Sequence, residues 1–241
     1  MNYGATPDEW FHFDLVEGLT SDLLPVVCRP GQTIYEHSHL KSYGKVPSRY
    51  TAVRREVVGF TNWTSYTSTD RDIVHWSGEE DYGICLQTRR VRALDFDITD
   101  DGFATYLRDS LSLLGYDFPY RTRSNSSKFL TLFSLEGEYR KQTILTPYGM
   151  VEFLATGQQC VVAGQHPSGV RYEWDWCHPI PTLDAIQWAT LQTDLVNMIG
   201  ADSVWSNPSQ SGIADRDASI TASIDDDPVA QFLVKHGWVR A

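Results

Sequence analysis

No apolar run in this 241-residue sequence reaches the roughly 18 residues needed to span a bilayer, and no basic start followed by a hydrophobic stretch opens it. Neither a membrane anchor nor export is therefore expected, and a cytoplasmic protein is the reading. Cysteine is sparse as well: Cys28, Cys85, Cys160 and Cys177 are scattered with no C-x-x-C spacing. That pattern supports neither a zinc ribbon nor a compact disulfide framework and predicts four reduced thiols. Positive charge is short too, with 20 Lys and Arg against 31 Asp and Glu, a formal net charge of −11. A protein that coats nucleic acid over its whole surface is disfavoured, because phosphates are neutralised by Lys and Arg at the contact. A local basic channel remains compatible with this balance. No internal repeat is visible.

What is present is a globular composition, 41% hydrophobic, with enough chain for one large domain or one domain with appendages. Its most informative segment is 91–98, Val-Arg-Ala-Leu-Asp-Phe-Asp-Ile. Side chains two apart on a strand share a face, so Asp95 and Asp97 project together while Leu94, Phe96 and Ile98 face the other way. Two like charges side by side call for a neutralising partner, and a divalent cation with hard oxygen ligands, Mg²⁺ or Mn²⁺, is the usual one. The alternation alone also suits a solvated strand, so the rest of the chain decides.

Thr99, Asp100 and Asp101 supply N-cap oxygens, and Phe103, Tyr106, Leu107, Leu111 and Leu114 follow at helical spacing before Gly115. A strand followed by an amphipathic helix is predicted. KFLTLF at 128–133 reads as a strand with Lys128, Leu130 and Leu132 on one face. Segments 151–154 and 159–164 flank Ala155-Thr156-Gly157-Gln158 as a hairpin. A longer helix is expected over 182–199, with Thr182 as N-cap, Leu183, Ile186, Ala189, Leu195 and Ile199 buried, and Gly200 ending it. Residues 203–226 are rich in Ser, Asp, Asn and Gly and read as a linker, after which Asp227-Pro228 opens a last helix closing at Gly237.

A third acid, Glu152, lies between hydrophobic neighbours on a predicted strand. Three carboxylates on strands of one sheet match what metal-assisted phosphoryl transfer requires, provided the sheet brings them together. Two basic groups lie nearby in sequence: Arg89, Arg90 and Arg92 just before the acidic pair, and Arg121, Arg123 and Lys128 after the helix. Each is either a solvated face or a phosphate contact. With a hairpin at Thr156-Gly157, His166 would lie five residues beyond the partner of Glu152, roughly 16 Å at strand rise. Unless the chain bends at Gly164, a nucleotide or template contact suits this histidine better than metal ligation. The other histidines show no ligand spacing, and Tyr172, Trp174 and Trp176 read as packing.

The segments GKVPS at 44–48, DYGICLQT at 81–88, RALDFDI at 92–98, RTRSNSSKFLTLF at 121–133 and VEFLATGQQCVVAGQHPSGVRYEW at 151–174 occur in an order that resembles a known family. It is the bifunctional primase/polymerase (prim-pol) domain of the archaeo-eukaryotic primase superfamily, in the version found in phage and plasmid primase-helicases. The resemblance implies an α+β fold, with an RRM-like antiparallel sheet carrying the acids, helices on one side and an N-terminal α/β subdomain completing a cleft. It implies a catalytic domain over 1–200, a linker over 201–226 and a helix over 227–241 leading to a downstream helicase module. Its acidic motifs fall on Asp95, Asp97 and Glu152, which would hold two Mg²⁺ or Mn²⁺ ions. The middle motif of the family ends in a histidine, and here Lys128 takes that place. Arg121, Arg123, Ser127, Lys128 and His166 would bind the nucleotide, and the implied reaction joins NTPs or dNTPs into primers on a single-stranded DNA template. A nuclease or glycosyltransferase using the same Asp-x-Asp chemistry, and a noncatalytic single-strand or origin-binding module, are the alternatives.

Overall fold

The computed structural model describes residues 2–207 apart from Arg54, Cys177, Ala201 and Asp202. The expected helix over 227–241, and the expected linker beyond Asn207, lie outside the described residues. In chain order the elements are α1 (Pro7–Phe11), β1 (Leu23–Val27), β2 (Ser48–Tyr50), β3 (Val57–Gly59), α2 (Asp70–Ser77), β4 (Tyr82–Thr88), β5 (Val91–Ile98) and α3 (Asp101–Leu113). Then follow β6 (Tyr120–Arg123), β7 (Ser126–Leu135), β8 (Gln142–Thr146), β9 (Gly149–Leu154), β10 (Gln158–Ala163), β11 (Glu173–Asp175), β12 (Thr182–Leu183) and α4 (Ala185–Ile199). This is a mixed α+β fold with antiparallel sheets. No helix among the described residues is long and apolar enough to cross a membrane.

The larger sheet runs β11-β6-β7-β5-β9-β8, with β12 added in parallel to the end of β7. Alternation in β5 decides its two faces. Leu94, Phe96 and Ile98 enter a core shared with Ala104, Leu107 and Leu111 of α3 and with Trp188, Leu191 and Leu195 of α4. Ring centres lie 4.2 Å apart there, Phe96 stacked on Phe129 and Phe153 tilted against Trp188. Burying each such side chain contributes about 1.5–3 kcal/mol. On the opposite face, Ala93, Leu130, Leu132 and Leu154 join a second core, shared with the three-stranded sheet β1-β4-β10. Strand β4 is buried along its whole length, as a central strand between packed layers should be.

Helix α3 begins where its sequence says it should. The Asp100 carboxylate accepts from the Phe103 backbone N–H at 2.7 Å, an N-cap bond. Its buried stripe is Ala104, Leu107 and Leu111, however, while Tyr106 and Leu114 are exposed. The expectation for α4 needs a larger correction. Thr182 is not its cap: Thr182 and Leu183 form β12, and Asp184 caps the helix in a reciprocal box with Gln187. That shift of register exposes Ile186 and Ala189 and buries Trp188 and Leu191 in their stead.

The predicted hairpin across 155–158 is absent. Strand β9 pairs with β5 and β8, whereas β10 pairs with β4 in the other sheet. The chain turns a corner at Ala155-Thr156-Gly157, where Gly157 adopts φ +79° and the Thr88 hydroxyl donates to the Ala155 carbonyl at 2.6 Å. Burial explains the choice, since Val161, Val162 and Ala163 complete the second core only from the smaller sheet. Past α4, Ser206 bridges to Thr143 of β8 and Trp205 packs on Trp188, so residues 203–206 lie against the larger sheet.

Candidate active site

The pairing of β5 with β9 sets Asp95 directly opposite Glu152, and Asp97 follows two residues along the same face. Directly paired residues have Cβ atoms only about 5 Å apart. On the other side of β5, the register with β7 puts Leu130 opposite Asp95 and carries Lys128 to the position beside Asp97. Beyond β7, Arg121 of β6 lies opposite Leu130. One row across the sheet thus reads Arg121, Leu130, Asp95, Glu152, Thr143. The acids stand where the apolar packing between the sheets gives way to a cleft of about 450 Å³. Glycine closes its edge: a side chain at Gly149, φ +139°, would collide with the Asp97 carbonyl oxygen, so only glycine lets β9 start this close to β5.

Two of the three carboxylates already hold an ammonium group. Lys128 Nζ lies 3.1 Å from Asp97 Oδ1, and Lys141 Nζ lies 2.5 Å from Glu152 Oε1. Asp95 has no such partner among the described residues. Burial at the base of the cleft pushes its carboxyl up to about 6, against the pull of Arg121 and with further upward pressure from Asp97 and Glu152. Hard oxygen donors that attract cations and crowd one another fit divalent metal ions by chemistry. In the arrangement described, no three His, Cys, Asp or Glu side chains among the described residues converge on one point. Binding an ion would therefore require the lysines to give way.

The basic residues predicted for nucleotide are distributed unevenly. Arg121 donates to the Val161 carbonyl and lies over the Tyr172 ring, 4.4 Å from its centre. Arg123 donates to His166 Nδ1 at 2.7 Å and to Ser126 Oγ at 3.2 Å. His166 itself reaches the cleft because the chain bends at Gly164, φ +108°, after a bulge between Val161 and Ala163. The bend at Gly164, on whose absence the straight-strand distance depends, is thus present. Its Nδ1 also accepts from the Ser168 backbone N–H at 3.0 Å, which places the ring proton of the neutral form on Nε2. Desolvation first, and then Arg123, Lys45, Arg121 and Lys128, lower its pKa to about 4. Ser127 lies on the other face of β7: its hydroxyl donates to the Ile98 carbonyl at 2.7 Å and borders an adjoining cavity shared with Arg123 and Arg108.

Lys45 and Lys141 also line the cleft, and sequence reasoning missed both. Each precedes a short strand, and the available signal was positional: GKVPS belongs to the segments that carry the family resemblance, and Lys141 lies two before Thr143, the register partner of Glu152. The described cysteines contribute no nucleophile here. Cys28, Cys85 and Cys160 are free and buried, and burial pushes the Cys160 thiol in the cleft wall up to about 12. Trp174 is packing, as expected, with its indole N–H donating to the Val162 carbonyl at 2.7 Å and its ring stacked on Trp176.

No curated protein matches the chain. The family model for the bifunctional DNA primase/polymerase N-terminal domain matches residues 16–185, a span running from ahead of β1 to the start of α4 and including every strand that lines the cleft. With that match over most of its length, the chain belongs to the bifunctional DNA primase/polymerase (Prim-Pol) family.

Proposed function

We propose that this chain catalyses metal-dependent, template-directed nucleotidyl transfer, making primers on single-stranded DNA in phage or plasmid replication. Family membership implies DNA primase/polymerase activity on a DNA template with nucleotides, and enzymes of the family typically use divalent metals. The observation that carries the finer reading is the cross-strand pair Asp95 and Glu152, with Asp97 beside it, facing a cleft bordered by Lys45, Arg121, Arg123, Lys128 and His166. In this proposal the larger sheet is the RRM-like sheet of the family, and the β1-β4-β10 layer with its helices is the subdomain that completes the cleft.

Asp95, Asp97 and Glu152 would hold the Mg²⁺ or Mn²⁺ ions, which when bound activate the attacking hydroxyl and stabilise the leaving pyrophosphate. The primer 3′-hydroxyl, or that of the first nucleotide, attacks the α-phosphorus; a new P–O bond forms and the bond to the β-phosphate oxygen breaks. The chain's own cations hold the triphosphate as negative charge moves toward the leaving group. Lys128 supplies a point charge where the family has an imidazole, and Arg121 and Arg123 supply planar donors. His166, neutral and with its proton on Nε2, donates a hydrogen bond to a phosphate oxygen rather than a charge. Ser127 supports β7 from behind through Ile98, and as a nucleotide contact it would act from the adjoining cavity. A cytoplasmic setting and a helicase module downstream complete the proposal.

Incorporation of labelled NTPs and dNTPs on a single-stranded template with Mg²⁺ or Mn²⁺ tests it. Extension products that vanish in Asp95→Ala and Asp97→Ala, with template binding retained, support the assignment. Template binding by the wild-type chain with no synthesis would favour the noncatalytic alternative, and cleavage without extension would favour a nuclease.

A further inference from the structure

The triplet Arg89, Arg90 and Arg92 has no place in the acidic cleft. It lines a second and larger cavity, about 620 Å³, on the far side of the corner at Thr156-Gly157. That volume falls in the range of small-molecule sites. Gln158 borders both cavities, so the two lie on either side of one short stretch of chain.

The three arginines of this cavity are compensated unequally: Arg89 pairs with Asp22 at 3.3 Å, whereas Arg92 feels Glu138 and Asp22 only at a distance. Arg92 is 2% exposed, yet its guanidinium donates only to the carbonyls of Thr88 (2.9 Å) and Gly137 (2.7 Å), and its Nε has no partner. No carboxylate among the described residues lies within ion-pair distance of it; Glu136 and Glu138 stand at the exposed rim. A buried cation without a close counter-charge is costly, and a ligand that brings an anion or acceptor offsets that cost. Gln87 is 1% exposed and donates through Nε2 to the Tyr66 carbonyl, which leaves its Oε1 without a partner. Two residues of the lining, Arg92 and Gln87, thus keep a buried donor and a buried acceptor without a partner among the described residues. Trp63 adds a half-buried aromatic ring, and Arg90, exposed, bonded to the Gly18 carbonyl at 3.2 Å and acting on Asp22 only at a distance, adds a second cation.

An aromatic ring, a donor and an acceptor in the wall, and an arginine at the mouth are the complement of one ligand class. We infer that this cavity binds a nucleotide, its base on Trp63 and within reach of Gln87 and Arg92, its phosphate on Arg90. Two sources share that chemistry: a nucleotide of the template strand leaving the acidic cleft over Gln158, and a free nucleotide. The template source rests on the proposed function; the free nucleotide does not.

Photocrosslinking of a 4-thiothymidine oligonucleotide, anisotropy of a labelled oligothymidine and calorimetry with a free nucleotide, all in EDTA, separate the outcomes. For a template nucleotide, Trp63→Ala and Arg90→Ala each weaken oligothymidine binding about five- to tenfold, and crosslinks map to the peptide bearing Trp63. Lys41→Ala, an exposed lysine outside both cavities, leaves both readouts unchanged. For a free nucleotide, the calorimetric affinity falls in the two variants while oligothymidine binding holds. Unchanged affinity for both ligands, with crosslinks confined to the acidic cleft, overturns the inference. Arg90→Ala alters an exposed side chain, so the outcome does not depend on whether Trp63→Ala folds. Failure of primer synthesis with the Trp63 crosslink intact would overturn the proposed function and leave this site standing.

Discussion

Lys141 Nζ lies 2.5 Å from Glu152 Oε1, a contact made across the sheet edge between the residue just ahead of β8 and the middle of β9. The ammonium occupies one of the carboxylate oxygens that a divalent cation would need. In the proposed metal site, cation and lysine would therefore compete for the same acid, and likewise at Asp97, which Lys128 holds at 3.1 Å.

Removing the competitor has a measurable consequence. Lys141→Met binds Mn²⁺ about two- to fivefold more tightly than wild type in the absence of nucleotide, the range expected for a partly exposed ion pair. Titration followed by electron paramagnetic resonance reads this directly. Weaker Mn²⁺ binding in the variant would show that Lys141 organises Glu152 for the ion rather than opposing it.

Asp95 sets a pH signature for the metal-free protein. Its folded-state value of about 6 lies above the ordinary 3.8, so between those values the native state holds a proton the unfolded chain has released. The contribution to stability is present below about 3.8 and is lost as pH rises through about 6. Asp95→Asn therefore melts at a higher temperature than wild type above about pH 6, and the two converge near about pH 4, as calorimetry in EDTA will show.

The same carboxyl must lose its proton to serve a metal, so synthesis at subsaturating Mg²⁺ falls as pH drops through about 6. His166, held at about 4 by desolvation and four nearby cations, does not titrate in that window. The acid limb in the pH profile of kcat/KM persists in His166→Gln. Its disappearance would assign the limb to the histidine.

Lys128 is predicted to act in binding. Lys128→Ala raises the nucleotide KM about tenfold, the loss of a charge-assisted contact, with a smaller change in kcat. Lys128→His, which restores the family's residue, recovers part of that loss at low pH, where imidazolium forms. Steady-state kinetics across pH tests both.

Gly164 is required by conformation and by space. At φ +108°, a β-carbon would also meet Cys28 Sγ at 2.8 Å and Gly83 Cα at 3.0 Å. Gly164→Ala loses about 1–3 kcal/mol in urea unfolding and raises the nucleotide KM by displacing His166.

The acid pair, the helix behind it and the face that carries Lys128 were legible because periodicity and caps are local signals. Alternation in 91–98 set the two faces of β5, and Asp100 capped α3 as its side-chain chemistry requires. Partner choice was not legible. Nothing local in ATGQ distinguishes a hairpin from a corner between sheets, because the outcome depends on whether β10 buries Val161 and Val162 against β9 or against β4. The start of α4 was misplaced for a different reason: Asp184 and Gln187 form a capping box readable in sequence, and Thr182 drew attention from it. Lys45, Lys141 and the approach of His166 to Arg123 are products of topology, and sequence distance conceals all three.

The alternation that makes β5 a strand also ties the acids to the hydrophobic core. Were β5 to slip by one residue, its carboxylates would turn into the phenyl stack under α3 and α4, and Leu94 and Phe96 would line the cleft. A chain misregistered by one residue cannot keep its core while losing its acids, or the reverse. If these acids hold a metal as proposed, its affinity reports on the pairing of β5, and Mn²⁺ uptake would follow refolding alongside an optical probe.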